Sequence, residues 1–466
     1  MRTRTRGSGA VAAALATVLG AGLLAGCSGE SDAGPDNKIT VWSLENLPPR
    51  MAATEKVVDR FEKETGITVE LVGVAENQLP QLIMSAAAAG NLPDVIGAVP
   101  IGQIWQMYGN DLLDTDAATD IVDDLDTGTF DDNALKLTSD GSRRLAVPSD
   151  SWLQLLVYRK DRLEKAGLPV PDSYEDLLGA AAKLDTGGRD GISLATDPGD
   201  PFTQQSFESL ALANGCELVR GNGEVDLDSP ACRRTFSAYD TLARKHGAGG
   251  TQTVDTTRAT YFSGSSSLLV WSSFVLDELA GLRADALPSC AECKKDPEFL
   301  ADNSGIAATL KGPDGARPAQ FGEVTSWAVT RTAESEASRS FVGYMMNDGY
   351  EDWFGMSPEG KIPVRTGTPG DEQKFRDAWR GSELGVDQRK PMDEVYPASL
   401  LDQLADGVTN MRRWGITQGQ GTLVGATNGE LPVPKAVNAM TTGQLSPEEA
   451  AHDAGEEVSA LQNSLK

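Results

Sequence analysis

Ile39-Thr-Val-Trp42 opens the stretch of sequence that decides the fold. A helical pattern through Val57 and Phe61 follows it, and Ile67-Thr-Val-Glu-Leu-Val72 closes the stretch. The two outer runs are short, β-branched and apolar, as strands are. The middle segment repeats its apolar residues at helical spacing, and Gly66 stands where a left-handed cap ends a helix. Strand, helix and strand in this order predict a βαβ unit, which requires parallel strands.

The alternation of strands and helices continues along the chain. Predicted strands are 94–96, 145–148, 153–158, 267–271 and 326–329, and predicted helices are 79–89, 101–108, 174–184, 336–346 and 447–461. We expect Asp172 or Ser173 to cap the helix at 174, and Ser446 to cap the last helix. The pattern predicts an α/β protein of two doubly wound lobes, and the chain is long enough to divide in this way.

The N-terminus resembles a bacterial lipoprotein signal peptide. Leu24-Ala-Gly-Cys27 closes an uncharged run behind Arg2, Arg4 and Arg6, which is the order of a cationic, an apolar and a cleavage region. The resemblance implies lipid transfer to the Cys27 thiol and removal of residues 1–26, with residues 28–37 as a flexible stalk. An uncleaved transmembrane helix is the alternative, although the run is rich in Gly and Ala and therefore weakly apolar.

The charge of the chain restricts its partners. The chain has 68 Asp and Glu residues and 41 Lys and Arg residues, which gives a net charge of −27. Residues 1–26 contain three arginines and no acidic residue, so their removal changes the net charge to −30. Such a surface argues against nucleic acid and anionic lipid as partners and favours solubility. The acidic segment 114–126 lacks the glycine and the final glutamate of a calcium loop, so we expect a solvated face there.

Four cysteines remain once Cys27 is assigned to lipid, and an even number outside the membrane predicts disulfides. Of the three possible pairings, Cys216 with Cys232 and Cys290 with Cys293 is the natural one. A redox motif at 290–293 is disfavoured because prolines flank it instead of a strand and a helix. A zinc site is disfavoured because the other two cysteines are not closely spaced, and we expect neither a metal nor a cofactor.

Several motifs, in this order, resemble the extracellular solute-binding proteins of bacterial ABC transporters, in particular their carbohydrate-binding branch. They are Phe61-Glu-Lys-Glu-Thr-Gly-Ile-Thr-Val69, Ala86-Ala-Ala-Ala-Gly-Asn-Leu-Pro-Asp-Val-Ile96, Val147-Pro148 with Leu156-Val-Tyr-Arg-Lys-Asp161, Ala166-Gly-Leu-Pro169 and Gly443-Gln-Leu-Ser-Pro-Glu-Glu-Ala450. The resemblance covers nearly all of the chain after the signal peptide.

The resemblance implies a type II periplasmic-binding-protein fold, in which crossover strands join two lobes that close on a ligand. Independently, ligands of open α/β sheets lie beyond the carboxyl ends of strands and in clefts between lobes. The expected organisation is 38–149 as the first part of lobe 1, 150–312 as the first part of lobe 2, 313–365 as the return to lobe 1, and 366–466 as lobe 2 with the C-terminal helices.

Candidate ligand-binding residues therefore follow strands. A sugar needs aromatic platforms beside carboxylate, amide or guanidinium groups. The candidates are Trp42, Glu45 and Asn46 after the first strand, Asp150, Ser151 and Trp152 at the first crossover, Trp271, Ser272 and Phe274 in lobe 2, Glu323 and Trp327 on the returning strand, and Arg365, with Trp414 as a weaker candidate.

The expected function is capture of a sugar or an oligosaccharide for an ABC permease by a monomer that is anchored at the outer face of the cytoplasmic membrane. A second hypothesis keeps the fold but changes the ligand to a polyamine, a peptide or an amino acid. A third is a glycoside hydrolase, which also uses paired carboxylates and aromatic platforms. Catalytic motifs are missing: the only histidines are His246 and His452, and no HExxH or glycine-rich phosphate loop occurs.

Overall fold

The predicted βαβ unit opens the fold. In the computed structural model, which describes residues 37–466 without the side chain of Asn77, Lys38–Ser43 and Thr68–Gly73 are parallel strands on either side of a helix over Pro48–Thr65. Gly66 ends that helix at φ 74°, in the left-handed conformation expected of it. The predicted signal peptide, the predicted lipidation site Cys27 and residues 28–36 of the predicted stalk lie outside the described residues.

Strands between residues 38 and 363 form the main sheet, in the order β2-β1-β3-β10-β6-β8-β7, and β9 and β11 also pair with β6. The strands are β1 (Lys38–Ser43), β2 (Thr68–Gly73), β3 (Val95–Pro100), β4 (Ser139–Asp140), β5 (Arg143–Arg144), β6 (Val147–Arg159), β7 (Asp190–Ser193), β8 (Ser266–Ser272), β9 (Ser304–Ala307), β10 (Gly322–Val329), β11 (Ile362–Pro363), β12 (Glu383–Leu384) and β13 (Lys390–Pro391).

Strand β6 joins the two halves of this sheet. Residues 147–153 of β6 pair with β10, and residues 154–158 pair with β8. The sequence predicted two strands here, 145–148 and 153–158, because polar residues 149–151 interrupt the apolar pattern. The structure has one strand instead, since the interrupting side chains are buried and their hydrogen bonds are satisfied by neighbouring segments. The α/β fold with a crossover strand is therefore confirmed.

Helices cover both halves of the sheet. They are α1 (Pro48–Thr65), α2 (Leu79–Ala89), α3 (Ile101–Gly109), α4 (Thr115–Asp124), α5 (Asp132–Leu137), α6 (Lys160–Ala166), α7 (Tyr174–Leu184), α8 (Pro201–Ala213), α9 (Pro230–Asp240), α10 (Val254–Phe262), α11 (Val275–Leu279), α12 (Phe299–Asn303), α13 (Ser335–Met345), α14 (Tyr350–Gly355), α15 (Lys374–Arg380), α16 (Met392–Val395), α17 (Ala398–Asn410), α18 (Gly421–Glu430), α19 (Pro432–Thr441) and α20 (Pro447–Ser464).

Local signals in the sequence set several helix ends. Ser173 accepts a hydrogen bond from the amide of Asp176 and caps α7, and Ser446 forms a capping box with Glu449 at α20. The C-terminal helices serve both halves of the sheet: α17 packs on α5 and β6, α18 on α3, α19 on α8, and α20 on α9. They therefore connect elements that are far apart in the sequence.

The four cysteines of the described residues form the pairs that the sequence favoured, Cys216 with Cys232 and Cys290 with Cys293. All four are buried. Within residues 37–466 no group of three or more His, Cys, Asp or Glu side chains is arranged to hold a metal ion. In the same range, no helix combines the length and the apolar character that crossing a membrane requires.

Candidate functional site

The segment that follows β1 carries a buried ionic group. The carboxylate of Glu45 lies 2.7 Å from Arg50 Nη1 and 2.6 Å from Lys361 Nζ. Burial by itself raises the pKa of Glu45, but the charges of Lys361 and Arg50 and their hydrogen bonds outweigh it and lower the pKa to about 2. Glu45 is therefore an ionised group whose charge the protein itself neutralises. The neighbouring Asn46 is exposed, and Trp42 is half-buried.

Asp150 of β6 shares Lys361 with Glu45. One carboxylate oxygen accepts from Lys361 Nζ at 3.1 Å and from Thr325 Oγ1 at 2.7 Å. The other accepts from Ser149 Oγ at 2.5 Å and from Trp353 Nε1 at 2.9 Å. With 1% exposure and four donors, Asp150 is a satisfied structural acid at the junction of the two halves.

The side chains of Trp152 and Glu323 are directly opposite each other on β6 and β10. Trp152 is half-buried and packs on Phe321, with ring centroids 5.9 Å apart. Glu323 is buried; burial raises its pKa, although Arg413 and the amide of Ile101 oppose the shift. Arg413 also lies over the Phe321 ring, 4.7 Å from its centroid. We call Trp152, Phe321, Glu323 and Arg413 the aromatic floor, because two ring faces lie beside a buried ion pair there.

The second half of the sheet contributes another aromatic group. The Trp271 ring is 6% exposed, packs on Phe202 at 5.8 Å and donates its Nε1 hydrogen to the carbonyl of Val254 at 3.1 Å. Phe274 is half-buried and lies 5.2 Å from the guanidinium carbon of Arg50, a residue of α1. The Arg50–Phe274 contact therefore joins the two halves of the molecule. Trp271, in contrast, is largely covered by Phe202 and Val254, which belong to its own half.

Glu76 lies near Glu45 and Glu323, and it is not among the candidates that the sequence indicated. Its side chain is exposed and has no hydrogen bond or ion pair among residues 37–466. Surrounding protein raises the pKa of Glu76 to about 7, and the charges of Glu323, Glu45 and Asp200 add to the shift. The exposed carboxyl group of Glu76 therefore lies near the buried acids Glu45 and Glu323. The available signal was position, because Glu76 follows β2 as Glu45 follows β1.

The remaining candidates are engaged in packing or hydrogen bonds within the protein. Ser151 donates to the Met411 sulfur at 3.3 Å, and Ser272 is buried within β8. Trp327 is fully buried against Trp353, with ring centroids 4.6 Å apart. The guanidinium of Arg365 is used by Thr129 and by the carbonyls of Met346 and Leu125, and Trp414 donates to the carbonyl of Cys216; both side chains are buried. The structure therefore brings Glu45, Trp152, Phe274 and Glu323 together with Glu76, but gives Trp327, Arg365 and Trp414 packing partners of their own.

Known proteins share this architecture. Residues 56–379 match the family model described as bacterial extracellular solute-binding protein. A putative ABC transporter periplasmic-binding protein, YcjN of Escherichia coli strain K12, is 29% identical over 75% of this chain and 78% of its own length.

Two solved structures illustrate the common fold. The GacH receptor of Streptomyces glaucescens GLA.O, solved unliganded and with acarbose, superposes with a TM-score of 0.70 at 19% identity, over 92% of this chain and 99% of its own. Maltose-bound MalE3 of T. maritima gives a TM-score of 0.69 at 19% identity, over 91% and 99%. The two-lobed periplasmic-binding-protein fold expected from the sequence is confirmed.

Proposed function

This chain belongs to the bacterial extracellular solute-binding proteins, and from that premise we propose that it captures a sugar or an oligosaccharide between its two halves and delivers it to an ABC permease. Capture, not catalysis, is the proposed mechanism. A ligand that touches both halves stabilises the closed arrangement through the contacts that it makes only there. The relatives bound to maltose and to acarbose support a sugar as the ligand class.

One observation carries the choice of a neutral polyol. Glu45, Asp150 and Glu323 are the acidic candidates, and each is already paired with a cation of the chain, Lys361 for the first two and Arg413 for the third. A polyamine carries two or more positive charges and needs several free carboxylates to receive them. Glu76, which has no partner among residues 37–466, is a single group and is partly uncharged at neutral pH. The cleft instead offers the faces of Trp152 and Phe274, which suit the apolar C–H faces of a sugar.

Glu76 complements these aromatic faces. With a pKa of about 7, its carboxyl group is uncharged in part of the molecules at neutral pH, so that it both donates to and accepts from hydroxyl groups. We propose Glu76, Asn46, Trp152 and Phe274 as the ligand contacts, with Trp42, Ser151, Trp271 and Ser272 as a supporting layer. The other buried candidates act through the fold.

The proposal includes how the protein is held and organised. Lipid on Cys27, with the stalk over residues 28–37, anchors a monomer at the outer face of the cytoplasmic membrane, next to its permease. The stalk leads directly into the fold, because Asn37 donates a side-chain hydrogen bond to the carbonyl of Gly66 at 3.0 Å. The proposed lobes are 38–149 with 313–365, and 150–312 with 366–466.

A ligand panel tests the proposal. Purified protein is titrated with maltose, acarbose, spermidine and a mixture of amino acids, and thermal unfolding and calorimetric binding are followed. Ligand at 100 times its Kd stabilises the folded state by about 2.7 kcal/mol, which is readily measured. Saturable binding of a sugar without turnover is the expected result. Binding of spermidine alone, or hydrolysis of acarbose, would overturn it.

Two variants locate the binding surface. Trp152→Ala should weaken the affinity for the bound sugar by about tenfold or more, because stacking on a half-buried ring is lost. Tyr344→Ala is the matched control, since Tyr344 is also a half-buried aromatic residue but packs on Phe61 of α1. Equal affinities of both variants for the sugar would reject the proposed cleft.

A further inference from the structure

Arg413 connects two distant segments through its guanidinium group. It follows α17, is 6% exposed, and places Nη1 at 2.5 Å from Glu323 and Nε at 3.2 Å from Glu208. Glu323 lies at the start of β10, and Glu208 lies in α8 of the second half. One side chain therefore joins strand β10 to helix α8, which precedes β10 by more than a hundred residues in the sequence.

Both carboxylates make a second bond to a backbone amide. Glu323 accepts from the amide of Ile101 at 2.8 Å, which is the first residue of α3. Glu208 accepts from the amide of Trp414 at 2.7 Å. Because a charge-assisted hydrogen bond is strong and directional, the position of Glu323 also sets the position of the start of α3.

The same guanidinium supports the aromatic floor. Its plane lies over Phe321, with the guanidinium carbon 4.7 Å from the ring centroid, and Phe321 packs on Trp152. A guanidinium offers a flat face for stacking and, at its edge, a rigid fork of donors. An ammonium group can bridge two carboxylates, as Lys361 does, but it has neither the flat face nor the fork. The arrangement around Arg413 thus depends on the shape of this side chain as well as on its charge.

We propose that Arg413 is a positioning residue of the cleft, which holds Phe321, Glu323 and the start of α3 in the arrangement that presents Trp152 to the ligand, and which ties this floor to Glu208. This inference rests on the proposed function in one respect, namely that the ligand contacts Trp152. Arg413 itself is 6% exposed and acts on the ligand through Phe321 and Trp152.

Arg413→Lys tests the role, because it keeps a positive charge between the two carboxylates and removes the fork and the flat face. We expect the affinity for whichever of maltose and acarbose the wild type binds to fall about tenfold. We also expect the Ile101 amide to exchange its hydrogen faster in the ligand-free protein. The matched control is Arg159→Lys, since Arg159 is equally buried, pairs with Asp161 at 2.7 Å and lies 5.0 Å from the Phe299 ring.

The outcomes separate a positioning role from a general structural one. The proposal holds if both variants lower the urea midpoint equally, and if only Arg413→Lys weakens ligand binding and speeds amide exchange at Ile101. Wild-type affinity, or unchanged exchange at Ile101, overturns it. If Arg413→Lys does not fold, the uncharged set Glu208→Gln, Glu323→Gln and Arg413→Met replaces it, and wild-type affinity in that set overturns the proposal.

The amide exchange also keeps this inference separate from the proposed function. If the wild type binds neither maltose nor acarbose, the ligand assignment fails by itself. Faster exchange at Ile101 in Arg413→Lys then still supports the positioning of α3, and unchanged exchange rejects it.

Discussion

Removing the cation that Glu45 and Asp150 share should destabilise the protein strongly at neutral pH. In Lys361→Met the methionine keeps most of the apolar stem that lies near Trp353, where Nζ is 4.2 Å from the ring centroid. The positive charge is lost, and two carboxylates with 6% and 1% residue exposure lose a partner. Arg50 still faces Glu45, so that one of the two cations near this carboxylate remains.

Two routes give a similar magnitude. The pKa of Glu45 is about 2 against an ordinary 4.5, and this difference corresponds to about 3 kcal/mol of stability at neutral pH. Lys361 and Arg50 both contribute to it, so the loss of Lys361 removes a part from Glu45 and also takes a partner from Asp150. Removing one partner of a buried ion pair costs about 3–5 kcal/mol. We therefore expect the free energy of unfolding to fall by about 3 kcal/mol at pH 7, measured by urea denaturation at 25 °C.

The effect should depend on pH with a defined sign. Because the folded-state pKa of Glu45 lies below the unfolded value, its stabilisation is complete above about pH 4.5 and is lost as the pH falls towards 2. The difference between wild type and Lys361→Met should thus shrink between pH 7 and pH 3. Lys374→Met is the control, since Lys374 pairs with Glu351 at the surface and should change stability by less than about 1 kcal/mol. A pH-independent loss, or an equal loss in the control, would refute the reasoning.

Three other substitutions probe packing, covalent linkage and titration. Gly97→Ala places a Cβ 2.4 Å from the nearest atom of the Trp327 ring and should lower the free energy of unfolding by about 1–3 kcal/mol in a urea titration, and a neutral effect would contradict the packing. Removing the disulfide in Cys216→Ser with Cys232→Ser should cost about 3 kcal/mol in the same assay, since it opens a loop of 16 residues; unchanged stability would count against this bond as a constraint. Sugar affinity should be a few-fold higher at pH 6 than at pH 8, because a bound ligand further desolvates Glu76 and favours its neutral form. Calorimetry of Glu76→Gln should show no such slope, and a slope that persists would assign it to another group.

The elements of the fold were predictable where the signal is local. Gly66 ends α1 because a left-handed residue is needed there, and Ser173 and Ser446 cap helices through bonds to amides three residues away. Strand β6 was not predictable in its full length. Its polar residues 149–151 indicate a loop when the sequence is taken alone. In the fold, Thr325 of β10 and Trp353 of α14, which are far away in the sequence, donate hydrogen bonds to Asp150.

The site was predictable as a neighbourhood but not as a set of contacts. Positions after strand ends led to Glu45, Trp152 and Glu323, which the fold does bring close to one another. The same rule applied to β2 would have added Glu76. Nothing local distinguishes Trp152, which stays half-buried, from Trp327, which is fully buried, because both are tryptophans on strands of the same sheet.

The sequence by itself thus determined the class of fold, the order of its elements and the family to which the chain belongs, and it favoured one of the three pairings of the cysteines. Those properties depend on periodicity, on caps and on motif order along the chain. Only the tertiary structure decided which acids are free. Glu45, Asp150 and Glu323 are neutralised by Lys361 and Arg413, whereas Glu76 has no hydrogen bond or ion pair among the residues that the structure describes. The physical reason is that burial and the charge of a neighbour set the state of a carboxyl group, and these neighbours are brought together by the fold and not by the sequence.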